Sequence, residues 1–150
     1  MSPVPQRRRV VLADDHPSVL TALMRILKPY CDVVSIATNG EDLLRRVEEA
    51  LPDVVVTDIS MPRMNGLDAC RHIRRIFPEV RVVIVGGLFD EDLLASAFEY
   101  GAHAVVRKVD MTRELPPAVL ASHDARRISR TGPRGTAPPT TPRRAGRSAQ

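Results

Sequence analysis

Five short aliphatic runs, Arg9–Ala13, Asp32–Ile36, Val54–Val56, Arg81–Val85 and Ala104–Arg107, alternate with stretches whose apolar residues recur at helical spacing. Runs this short and this rich in β-branched residues suit strands buried on both faces. Strand–helix alternation leads to a parallel sheet with helices on both sides, because each parallel pair needs a crossover. Such crossovers are right-handed and bring every strand's carboxyl end to one edge, where open α/β sheets bind their ligands. Asp14, Asp15, Asp58, Gly86 and Lys108 all fall just after those ends.

The intervening stretches read as helices. Pro17 suits a first helical turn, Leu20, Leu23, Met24 and Leu27 follow at helical spacing, and Pro29 stops the pattern. Asn39-Gly40 is a turn signal before Leu43, Leu44, Val47, Ala50 and Leu51, which Pro52 closes. Pro62, Asn65 and Gly66 break the chain before Leu67, Cys70, Ile73 and Ile76. Asp90 is placed to cap a fourth helix bearing Leu93, Leu94, Ala97 and Phe98, with Gly101 as its C′ residue. A fifth helix lies between about Thr112 and Ile128, where Pro116-Pro117 places its start near Leu115.

Composition divides the chain. Residues 1–7 read as a disordered lead-in, 8–128 as one domain, and 129–150 as a basic, Pro-rich, disordered tail. From Arg126 to Gln150 there are seven arginines and no acids. Taking those seven from 22 basic residues leaves 15 against 18 acids, a net of −3 on residues 1–125. Cys31 and Cys70 make neither a disulfide framework nor a metal motif. No run approaches a membrane span, and Arg7–Arg9 with the short segment behind them do not form a signal peptide, so the expected setting is cytoplasmic.

Three carboxylates gathered at one edge repel each other unless a positive charge sits among them. A hard divalent cation of the Mg²⁺ type, which takes oxygen ligands and keeps several waters, suits Asp14, Asp15 and Asp58, with the Ser60 backbone carbonyl as a further ligand. Lys108 then neutralises an added anion, and one carboxylate acts as nucleophile on a phosphoryl group.

Val11-Leu-Ala-Asp-Asp-His-Pro17, Pro52-Asp-Val-Val-Val-Thr-Asp-Ile-Ser-Met-Pro62 with Asn65-Gly66-Leu67, and Gly101-Ala102 leading to Lys108 resemble a response-regulator receiver domain over about residues 8–125. The Ala-Asp-Asp-His-Pro form is most similar to the branch that normally carries a helix-turn-helix DNA-binding output. The resemblance implies a flavodoxin-like (CheY-like) doubly wound sheet of strand order 2-1-3-4-5. It implies phosphorylation of Asp58 by a histidine kinase, Mg²⁺ on Asp15, Asp58 and the Ser60 carbonyl, Asp14 acting through water, and Lys108 pairing with the phosphoryl group. The partners expected are that kinase and a downstream protein or a second copy of the chain, in transcription regulation.

The chain departs from that pattern in three places. Gly86 stands where the family normally has the switch Ser or Thr, and Val105 where it often has an aromatic. Gly86-Gly87 retain backbone N–H groups to offer an anion, so transfer chemistry is expected to survive while conformational readout is in doubt. Nothing after Lys108 has the period of a helix-turn-helix, so sequence-specific DNA binding by this chain is not expected. A phosphorylation-independent scaffold, or pseudo-receiver, is the alternative; an aspartyl-phosphate hydrolase is disfavoured because Ser60 stands where such enzymes need a second carboxylate. His16 is read as a loop residue, His72 and His103 as partly exposed surface residues, and His123 as adjoining the tail. Cys70 and the flanking Met61 and Met64 are read as packing residues, and Cys31 is placed at a strand entrance.

Overall fold

The computed structural model describes residues 7–121; the rest of the lead-in, His123 and the basic tail lie outside the described residues. Five strands and five α-helices alternate in the order β1 (Arg9–Ala13), α1 (Pro17–Leu27), β2 (Asp32–Ala37), α2 (Gly40–Ala50), β3 (Val54–Asp58), α3 (Gly66–Ile76), β4 (Arg81–Gly86), α4 (Glu91–Glu99), β5 (Ala104–Arg107) and α5 (Met111–Leu120). The sheet is parallel, with order β2-β1-β3-β4-β5. This is the flavodoxin-like arrangement that the alternation and the resemblance predict.

Side-chain alternation along the strands feeds two separate cores. Val10, Leu12, Val54, Val56, Val83, Val85 and Val106 pack with Leu20, Leu23 and Leu27 of α1 and Leu115 and Val119 of α5. Their neighbours Val11, Val55, Val82, Ile84 and Val105 face the other way, onto Leu43 and Val47 of α2, Cys70 and Ile73 of α3, and Ala97 of α4. Three helices are capped by side chains: Asn39 accepts from the Asp42 N–H, Asn65 from Asp68 and Asp90 from Leu93, at 2.8–2.9 Å. Each such cap is worth about 1 kcal/mol. Gly101 closes α4 with φ +106°, as expected of a C′ glycine.

Two expectations need correction. Helix α5 starts at Met111, behind a 3₁₀ turn over Lys108–Asp110, and holds Pro116 and Pro117 in its interior. The two prolines withdraw N–H groups from the Thr112 and Arg113 carbonyls, and both of those residues are exposed, so water can serve the carbonyls while Leu115, Ala118 and Val119 hold the helix on the core. Arg7, placed in the lead-in, is tied to the fold: its guanidinium meets Asp32 at 2.8 Å and donates to the Lys28 and Cys31 carbonyls.

Candidate functional site

Strands β1 and β3 run side by side, with Ala13 opposite Thr57, so the residues that follow them emerge together at the carboxyl edge of the sheet. Asp14 is 1% exposed and Asp58 4%. Asp14 Oδ1 accepts the His16 N–H at 2.9 Å, a local turn of the kind Asp makes with a backbone two residues on. Asp58 Oδ1 accepts the Ile59 N–H at 2.9 Å. Lys108, the first residue after β5, reaches back so that Nζ stands 3.6 Å from Asp14 Oδ2 and 3.6 Å from Asp58 Oδ1. One amine is therefore shared by two buried carboxylates.

Asp15 and His16 complete the rim. One ligand atom each from Asp14, Asp15, His16 and Asp58 lie within 4.8 Å of one another. Asp15 Oδ1 is buried and makes no hydrogen bond, although His16 Nδ1 stands 3.1 Å away. Burial holds the Asp58 carboxyl above the usual carboxylate range, and the Asp14 charge adds to that; Lys108 and the Ile59 N–H act in the opposite sense. The residues fit a hard divalent cation, which would answer both the orphaned oxygen and the excess of negative charge.

The loop after β3 is folded tightly against this edge. A Cβ on Gly66 would run into the Asp58 carbonyl, and one on Gly40 into the backbone of Met64. Met61 is buried in the α2–α4 core and Met64 packs against it, whereas Ser60 lies exposed in the loop two residues beyond Asp58. Gly86 ends β4 one position past Val85, the partner of Asp58 in the β3–β4 register, and Gly87 begins the loop. Val105 is buried in the core on the α4 side. The sequence gives no sign of Phe89, whose ring lies over Gly86. Nor does it single out the orienting N–H groups of His16 and Ile59, although for His16 an Asp two residues before the backbone donor is a recognisable turn signal.

The remaining singled-out residues sit elsewhere. Cys70 is buried, its thiol pushed up to about 12 by burial, and it faces the Tyr100 carbonyl. Cys31, just before β2, is buried with its Sγ directed at the Leu27 carbonyl. His72 lies on α3, away from the acids. His103 is more than a surface residue: it is half-buried, and its Nδ1 accepts the Val82 N–H at 3.0 Å.

A doubly wound sheet of this order, with an acidic pocket and an opposing lysine at its carboxyl edge, defines the CheY-like class. The family described as the response regulator receiver domain matches residues 10–119, and the chain belongs to it. It is 31% identical over 102 residues to the chemotaxis protein CheY of Thermotoga maritima, an alignment spanning 67% of this chain and 85% of that protein. It is 32% identical over 102 residues to the transcriptional regulatory protein DegU of Brevibacillus brevis, spanning 67% of this chain and 43% of DegU. The chain thus spans about half the length, or less, of the transcriptional regulators it matches. Among solved structures, the signal receiver domain of the putative response regulator NarL from Mycobacterium tuberculosis superposes with a TM-score of 0.74 at 30% identity, covering 77% of this chain and 95% of that one. This is a receiver domain of two-component systems, a domain that normally signals, and the proteins similar to it include regulators of the LuxR and NarL type. Among the described residues no helix is long and apolar enough to cross a membrane.

Proposed function

We propose that Asp58 is a phosphoacceptor in a two-component relay and that the chain passes its phosphorylation state to a separate protein or to a second copy of itself. The observation that carries this reading is the nearly buried Asp58 carboxylate facing a shared lysine amine at 3.6 Å, beside two more acids. Oδ1 holds the Ile59 N–H and faces Lys108, and the proposal assigns Oδ2 to the attack on phosphorus. The donor is a phosphohistidine of a histidine kinase: the O–P bond forms as the P–N bond breaks, and the imidazole leaves with a proton. Asp15, Asp58 and the Ser60 carbonyl would hold Mg²⁺, with Asp14 acting through water, and the ion would supply charge compensation for the phosphoryl oxygens. Lys108 turns from the carboxylates to the new anion, and the Gly86-Gly87 amides offer it further donors. A role in transcription regulation, in the cytoplasm, is part of this proposal, and the transcriptional regulators among the relatives support it.

Incubation with Mg²⁺ and acetyl phosphate is expected to give a phosphoryl adduct by intact mass that Asp58→Asn abolishes; an unmodified wild type would overturn the reading. The substitution of the switch positions by Gly86 and buried Val105 favours a second reading, a scaffold indifferent to phosphate. Beryllofluoride separates them: a scaffold would bind none and keep its oligomeric state.

A further inference from the structure

Gly86 is buried, and a Cβ built on it would stand 2.7 Å from Cζ and 2.9 Å from Cε2 of Phe89. The ring therefore fills the space into which any side chain at the end of β4 would project. Phe89 packs against the α2–α4 core, while its neighbour Leu88 is 85% exposed. A Cβ on Gly87 would meet nothing within 4 Å. Two successive glycines, the second with open space beside it, give this loop the dihedral freedom to exchange positions.

We infer that Phe89 is the positioning residue of the anion site: its ring seats over Gly86 when Asp58 is unmodified and leaves when a phosphoryl group arrives. This rests on Asp58 being the phosphoacceptor. A phosphoryl group brings acceptor oxygens to the tip of β4, where the donors are the backbone N–H groups of Gly86-Gly87. An aromatic ring offers no hydrogen-bond donor there, so it cannot stand in for the amides that an anion would use. Ring and anion compete for one place, so the loop has two arrangements whose balance the phosphoryl group shifts. In this chain the readout passes to a ring from the β4–α4 loop, in place of a hydroxyl on β4 and an aromatic on β5.

The chain has only three phenylalanines, Phe77, Phe89 and Phe98, so 4-fluorophenylalanine labelling of the wild type gives three fluorine resonances, and Phe89→Leu identifies one of them. Beryllofluoride with Mg²⁺ is expected to shift the Phe89 resonance in a saturable way and leave Phe77 in place, with no shift in Asp58→Asn. Gly86→Ala, whose Cβ crowds the ring, is expected to show the shifted Phe89 resonance without beryllofluoride. If bound beryllofluoride is seen by its own fluorine signal while Phe89 stays put, the inference falls and the phosphoacceptor reading survives. If the wild type binds no beryllofluoride, both fall together.

Discussion

Removing the charge of Asp58 is expected to strengthen the fold, because burial and the Asp14 carboxylate both oppose its ionised form. With its folded pKa raised, the ionised group weighs against the native state at neutral pH, and that burden lifts as pH falls through the folded value. Asp58→Asn in EDTA should gain on the order of 1 kcal/mol, roughly 3–5 °C in a thermal melt; a melt unchanged or lowered would contradict this. His103 works in the opposite direction. Burial first, then the Arg74 and Arg81 charges, push its pKa down to about 3 from 6.5, so it folds neutral. The unfolded chain binds the extra proton between those values, hence stability is complete above pH 6.5 and is lost as pH falls toward 3, by at most about 1.4 kcal/mol per unit. His103→Gln, which keeps an acceptor for the Val82 N–H, should flatten the acid side of a stability–pH curve measured by urea unfolding.

At the scale of elements, α5 is where local preference and tertiary packing disagree. Pro117 is exposed and lies inside the helix, so its ring gives the core little while it withholds a donor from the Arg113 carbonyl. Pro117→Ala is expected to raise the urea midpoint by the equivalent of about 1–2 kcal/mol, part of the gain being offset by a freer unfolded chain. This helix also shows why its start was misjudged from sequence. Two prolines read as a helix start, and the hydrophobic grip of Leu115, Ala118 and Val119 on α1 and the sheet is a long-range contact that the sequence does not display. The strands were legible because of their β-branched runs, four of which end on or just before Asp, Gly or Lys. Asn39, read as a turn, caps α2 instead, which is the same side-chain chemistry serving a helix end. The site's acids and lysine were legible through the crossover rule alone. Phe89 was not, since nothing in its neighbourhood of sequence says that a loop ring will fold back over a glycine.

For the whole molecule, the two cores fix the sheet while its carboxyl edge gathers charge that the sheet does not need for packing. A cation that binds only the folded chain stabilises it by mass action, about 2.7 kcal/mol at a hundredfold excess over Kd. Millimolar Mg²⁺ is therefore expected to raise the melting temperature of the wild type by several degrees and that of Asp15→Asn by much less; equal shifts in a differential scan would place the cation elsewhere.

The loop between β3 and α3 has no slack at its far end, where Gly66 rests on the carbonyl of the very residue proposed to accept phosphate. The first turn of α3 thus behaves like a foot wedged under a door. A displacement of the Asp58 backbone would press directly on that turn, because only the bare backbone of a glycine fits between them.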